Sequence, residues 1–291
     1  MGDTGPFTVS PDWLEARLNR PGLAIIDASW YLPAQNRDAK GEYDAAHIPG
    51  AVFFDQDAVV EPDTGLPHSL PNPRLFAQFA GAMGISAADT VVVYDGPGLF
   101  SSARVWWLFR TMGVKAVFLL DGGLDGWKAA NRPLTDEPTK IAPCLFEVDF
   151  AAERVADLQA VKDIVDSRKA QIVDARPEGR FTGREPEPRA GMRSGHMPGA
   201  ANLPFDKIAQ SGRLMPAERI RAALAHAGVD LSKPIVTTCG SGVTAAIINL
   251  ALETVGHRDN RLHDGSWSEW GGRRDTPVVK TATATGAEPQ P

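Results

Sequence analysis

The chain has 291 residues, 43% of them hydrophobic, and a formal net charge of −6 at pH 7. That length predicts two domains or one large one, with ample apolar material for a core. The acidic balance argues against nucleic acid as a partner, and no run of about 18 apolar residues is present to span a membrane.

Two cysteines, Cys144 and Cys239, are too few for a disulfide framework. Cys144 reads as a buried, inert small hydrophobe. Residues 1–10 show neither the basic start nor the apolar stretch of a secretory signal, so the expected location is cytoplasmic.

In chain order, "WLEARLNR" reads as a helix and "LAIID" as a buried strand. "YDAAHIPGAVFFD" follows, then a polar loop, "FFDQDAVVEPDTGLPHSLP", that contains Asp57 and His68. "TVVVYD" and "AVFLLDGG" read as further parallel strands, being continuous and β-rich. "SARVWWLFRTMG" between them reads as a helix stopped by Gly113. The proline-broken stretch around Pro138 and Pro143 has no helical period and reads as a linker.

Beyond the linker the order recurs as "QIVDARP", "RSGHMPGAANLPFD", "PIVTTCGSGVTAAIINLAL" and "NRLHDGSWSEW". Asp27 pairs with Asp174, His47 with His196, Asp95 with Cys239, Asp121 with Asp264, and Trp127 with Trp270. The spacing from Asp121 to Trp127 equals that from Asp264 to Trp270, so chance likeness is a poor explanation. The expected division is a first domain over 8–134, a linker over 135–154, a second domain over 155–276 and a disordered tail over 277–291. Each domain is expected to be α/β, a small parallel sheet flanked by helices.

Cys239 stands where the strand "PIVTT" ends, and ligands of open parallel sheets bind beyond such ends. Gly240 and Gly242 allow a tight turn whose N–H groups face inward, and a helix starting near Thr244 adds its positive end. Both effects stabilise a thiolate, which makes Cys239 a candidate nucleophile. Asp95 holds the same place in the first copy. A carboxylate cannot accept and hand on a sulfur atom, so that domain is expected to be silent. Its turn, "GPGLFSS", lacks the repeated small residues that would let amides converge, so Asp95→Cys alone should create no second site.

Two tandem copies, one loop cysteine and "CGSGVTA" together resemble the two-domain rhodanese-type sulfurtransferases, and most of all the 3-mercaptopyruvate sulfurtransferase branch. Its loop reads CG[ST]GVT. "HIPGA", "HMPGA" and "GRFTGREPEPR" are further family-like motifs. The resemblance implies sulfur transfer from 3-mercaptopyruvate through a Cys239 persulfide to a thiol acceptor, such as thioredoxin or a small thiol, or to cyanide. It implies no metal or organic cofactor.

Arg180 and Arg189 match the family arginines that bind the donor's carboxylate and carbonyl. A guanidinium fork suits a planar carboxylate and keeps its charge. Arg184 and Arg193 are expected to stay off the substrate. Gly240, Gly242, Val243 and Thr244 complete the implied binding loop. Ser241, His68 and Asp57 match a serine–histidine–aspartate relay reaching across the domains. His47 and His196 occur in both copies and read as structural.

Thiosulfate is the alternative donor. Members that prefer it resemble CRKGVT, whereas positions 240 and 241 here are uncharged. A cysteine phosphatase needs an arginine six positions after the cysteine, where this chain has Ala245. A non-catalytic sulfur-carrier or binding module is the remaining alternative.

Overall fold

The computed structural model describes residues 5–96 and 98–281. The first unit contains β1 (Thr8–Val9), α1 (Pro11–Glu15), β2 (Leu23–Asp27), α2 (Ala39–Ala45), β3 (Ala51–Phe53), α3 (Pro73–Ala82), β4 (Thr90–Tyr94), α4 (Ser102–Thr111), β5 (Val117–Leu120) and α5 (Gly123–Ala129). The second contains β6 (Val155–Ala156), α6 (Leu158–Ser167), β7 (Gln171–Asp174), α7 (Glu178–Thr182), β8 (Ala201–Asn202), the ribbon strands β9 (Ala209–Gln210) and β10 (Arg213–Leu214), α8 (Ala217–His226), β11 (Ile235–Thr238), α9 (Ala245–Thr254), β12 (Asn260–His263) and α10 (Ser266–Trp270).

The two main sheets run β1-β5-β4-β2-β3 and β6-β12-β11-β7-β8, with every pairing parallel. Replacing each strand of one sheet by its equivalent gives the other, so the sequence repeat is a repeat of topology. The central strands β4 and β11 are buried almost along their whole length because helices cover both faces.

α4 and α9 follow equivalent strands and pack against each other. Both are buried nearly all round, as helices that pack on a sheet and on each other must be. Trp106, Trp107 and Phe109 of α4 are fully buried, each contributing roughly 2–3 kcal/mol relative to exposure. One hydrophobic cluster runs through both units. Beside it, the buried carboxylate of Glu253 on α9 takes Arg110 at 2.9 Å, Arg154 at 2.5 Å and Arg258 at 3.1 Å, tying α4 and the linker to the second unit. No helix among the described residues is long and apolar enough to cross a membrane.

Three local expectations need correction. The helix expected over 13–20 ends at Glu15, where hydrogen bonds tighten to i→i−3 and Asn19 turns left-handed at φ +62°. Cys144 is exposed rather than buried: its N–H donates to Gly81 O along the surface of α3, and Phe146 makes the core contact instead. The tail is ordered as far as Thr281, because Val279 pairs with His196 just as Thr135 pairs with His47. Trp270 likewise donates to Pro277 O as Trp127 donates to Pro133 O. Residues 277–281 thus repeat the start of the linker. The rest of the expected tail, 282–291, lies outside the described residues.

Candidate active site

Cys239 immediately follows β11 and is only 2% exposed. Its carbonyl accepts from Trp267 N–H at 2.9 Å, and that of Gly240 accepts from Ser268 N–H at 2.8 Å and Ser268 Oγ–H at 2.7 Å. The carbonyls of the turn are therefore tied to α10. Cys239 N–H donates to Ser266 Oγ at 3.2 Å. Among the described residues, the N–H groups of Gly240, Ser241, Gly242, Val243 and Thr244 meet no protein acceptor. α9 begins immediately beyond, so its positive end adds to these donors.

Gly242 has φ +81°, and a Cβ there would lie 3.0 Å from Arg104 Nη1 and 3.1 Å from Asp264 O. Only glycine fits such backbone so close to its neighbours.

The first copy carries the same kind of turn with its own anion inside. The Asp95 carboxylate accepts from the N–H groups of Gly98 (2.6 Å), Phe100 (2.8 Å), Ser101 (2.7 Å) and Ser102 (2.8 Å). Amides do converge here, contrary to the expectation from "GPGLFSS". Backbone rather than side-chain size sets their direction, and Asp95 holds them inward.

Arg180 and Arg189 converge on position 240: a Cβ on Gly240 would lie 3.1 Å from Arg180 Nη2 and 3.8 Å from Arg189 Nη1. Arg180 also shares Glu187 with Arg176, at 2.5 and 2.7 Å, so one side of its fork is already occupied. Arg189 makes no ion pair among the described residues; its nearest polar contact is Ser268 Oγ at 3.4 Å. Burial, then the neighbouring Arg180 cation, pulls its pKa below the ordinary arginine value. Two close cations, one of them unpaired, favour an anion between them.

His68 is buried and spans two partners. Its Nε2 lies 3.1 Å from Asp57 Oδ1 and its Nδ1 lies 3.0 Å from Ser241 Oγ. A carboxylate only accepts, so Nε2 carries hydrogen; in the neutral ring Nδ1 then accepts from the serine hydroxyl. The contact from His68 holds the Asp57 carboxyl below its usual range, with the Trp30 indole N–H assisting at 2.9 Å. Ser241 and His68 come from different domains and meet only because the two copies dock.

Cys239, Gly240, Ser241, Val243, Thr244, Arg180 and Arg189 border a cavity of about 460 Å³, roofed by Trp30 and Phe100 of the first domain and by Phe205. Gly242 supports the loop from behind. Arg184 pairs with Glu178, and Arg193 donates to the carbonyls of Gly271, Trp270 and Thr276, so neither faces the cavity. His47 and His196 each hold a carbonyl, of Tyr43 and Phe181, at 2.8 Å and stack on those same rings.

Sequence reasoning missed Trp30, Glu187, Ser266 and Ser268. Trp30 follows β2, at a strand end where ligands collect, and that position was its available signal. The two serines had none, since their role depends on the approach of α10 to the loop. Among the described residues no group of three or more His, Cys, Asp or Glu side chains is placed to hold a metal ion.

The rhodanese-like domain model matches twice, over residues 10–130 and 157–273. The chain is 44% identical to human 3-mercaptopyruvate sulfurtransferase, over 90% of this chain and 91% of that one. It is 41% identical to the Escherichia coli K12 enzyme of the same name, over 93% and 96%. It is also 41% identical to the Arabidopsis thaliana thiosulfate/3-mercaptopyruvate sulfurtransferase 1, mitochondrial, over 97% and 80%. Its fold is similar to the crystal structure of SseA from Escherichia coli, a 3-mercaptopyruvate sulfotransferase, with a TM-score of 0.83 at 39% identity over 90% of this chain and 98% of that one.

Proposed function

The chain belongs to the rhodanese-like family, whose domain it carries twice, and on that premise we infer that it is an enzyme, a sulfurtransferase that takes its sulfur from 3-mercaptopyruvate. In this reading the Cys239 thiolate attacks the donor's sulfur. The new S–S bond forms as the C–S bond breaks, and the electron pair leaves on carbon as pyruvate enolate. The donor's thiol proton ends on that carbon, so the step yields a Cys239 persulfide and pyruvate with no other reactant.

Arg180 and Arg189 hold the donor's carboxylate and carbonyl. The free amides from Gly240 to Thr244 face the negative charge on the reacting sulfur atoms, as donors in an oxyanion hole do. Ser241, backed by His68 and Asp57, carries the proton from sulfur to carbon. The persulfide then gives its outer sulfur to thioredoxin, a small thiol or cyanide. We assign the reaction to the cytoplasm, where both cysteines, free in the structure, remain thiols.

The observation that carries the donor assignment is the placement of charge. Both guanidinium groups approach position 240 from outside the loop, while Gly240 and Ser241 add no cation within it. That suits a donor whose carboxylate is remote from the transferred sulfur. Side-by-side kcat/KM values test it. Mercaptopyruvate is expected to exceed thiosulfate by at least about tenfold, the equivalent of 1.4 kcal/mol in the transition state. The reverse order would assign the site to thiosulfate.

A further inference from the structure

His68 sits in a loop of the first domain without regular secondary structure, and its backbone is left-handed at φ +56°. A residue with a Cβ keeps that conformation only where its surroundings hold it. The holders are Arg104 and Asp264. Arg104, in the first turn of α4, is 1% exposed. Its Nη2 donates to the carbonyl of His68 at 2.6 Å and to Asp264 Oδ1 at 2.5 Å. Asp264, just beyond β12 of the second domain, accepts the N–H of Leu70 through Oδ2 at 2.8 Å. One ion pair, with partners from different domains, thus grips the backbone at His68 and two residues beyond it.

The same pair touches the nucleophile's loop. Arg104 Nη1 packs under Gly242 and, with Nε, is buried without an acceptor among the described residues. Two residues after Asp264, Ser266 accepts the Cys239 N–H, and Ser268 holds the Gly240 carbonyl. Segment 264–268 therefore sets the place of both the histidine and the cysteine. Asp264 cancels the charge of Arg104, so the pair supplies orientation rather than a further cation for the substrate. Asp121, the equivalent of Asp264, also crosses to the other domain, pairing with Arg213 at 2.7 Å, but that arginine is exposed and the pair touches no relay residue.

We propose that Arg104 and Asp264 are positioning residues for sulfur transfer: their pair fixes His68 in the left-handed conformation from which its ring meets Ser241 and Asp57 together. Proton delivery is thereby tied to the docking of the two domains. This rests on the relay reading given above.

The test uses the full chain in a Cys144→Ser background, with Asp264→Asn, Arg104→Lys, His68→Gln and the double variant His68→Gln/Asp264→Asn. kcat and KM for mercaptopyruvate are measured beside the rate of Cys239 alkylation by iodoacetamide, which reports the loop without needing the relay. Asp264→Asn is expected to lower kcat at least about tenfold, with KM and alkylation each within about threefold. The double variant is expected to be no slower than His68→Gln alone, since the pair acts through the histidine. Arg104→Lys, which retains the charge, carries the same expectation should Asp264→Asn fail to fold. Asp264→Asn with near wild-type kcat, or with alkylation falling in step with kcat, overturns the proposal. If His68→Gln itself keeps wild-type kcat, the relay reading falls and this proposal falls with it.

Discussion

Asp95 fills with its own carboxylate a ring of amides, whereas the N–H groups after its counterpart Cys239 meet no acceptor among the described residues. Four backbone N–H groups converge on Asp95, which is fully buried. The turn after Cys239 has unpaired amides and a cavity in front of it. The first domain thus retains the anion cradle and closes it. Asp95→Ala leaves several buried donors unmet, at about 1–3 kcal/mol each and not additively. A loss of at least ~3 kcal/mol is expected in urea unfolding. Asp95→Cys with Cys239→Ser is still expected to be inactive. The cause is not absence of a cradle: Arg180, Arg189 and the Ser241–His68 pair gather at the Cys239 loop and not at position 95. Sulfur loading at position 95 would contradict this.

The two arginines should separate in kinetics. Arg189 has no carboxylate partner, so Arg189→Ala removes only a substrate contact, and KM is expected to rise about tenfold with kcat nearly kept. Arg180 also neutralises Glu187. Arg180→Ala leaves that carboxylate beside the site with Arg176 alone, so its KM should rise further, as like charge then opposes the donor. Glu187→Gln added to Arg180→Ala should restore part of the loss.

Removing the relay should act on kcat. His68→Gln and Ser241→Ala are expected to lower it by about 10²–10⁴-fold, the usual scale of positioned proton transfer. The sign of the pH effect follows from Asp57, whose pKa lies below the ordinary value because of His68 and Trp30. A carboxylate held low in the folded state adds stability above its unfolded pKa, about 3.9, and loses it as pH falls through the folded value. The stability difference between wild type and Asp57→Asn should be constant from neutral pH down to about 5 and shrink only in stronger acid. A difference that changes between pH 6 and 8 would mean that another group controls the contact.

Gly242→Ala tests the shape of the loop. Its φ of +81° and contacts near 3 Å leave no room for a methyl group. Destabilisation of about 1–3 kcal/mol is expected, with loss of sulfur transfer, because the amides on either side are displaced. Gly256→Ala, at φ +88° but with nothing within 4 Å, is the control for backbone strain alone and should keep activity.

Much of this was legible in the chain because the repeat doubles every signal. Asp27 with Asp174 and Trp127 with Trp270 mark matching strands and helices, and Cys239 stands out by its place just beyond a central strand. Strands buried on both faces declare themselves by unbroken apolar runs. What escaped depends on approach between distant segments. Nothing in "NRLHDGSWSEW" says that Asp264 meets Arg104, or that Ser266 and Ser268 brace the loop. In the sequence Asp95 is only an unsuitable nucleophile, which says nothing of the amides it gathers. The exposure of Cys144 escapes the sequence because residue type predicts burial only on average, whereas here Phe146 takes the core position.

The central claim is that sulfur from 3-mercaptopyruvate rests on Cys239. Mass spectrometry of the protein treated with mercaptopyruvate and no acceptor tests it most directly. The account predicts a gain of about 32 Da, one sulfur atom, on the peptide containing Cys239, removed by a reducing thiol. Cys144 should stay unmodified despite its exposure. Sulfur found on Cys144, or donor consumed with no added mass at Cys239, would contradict the account.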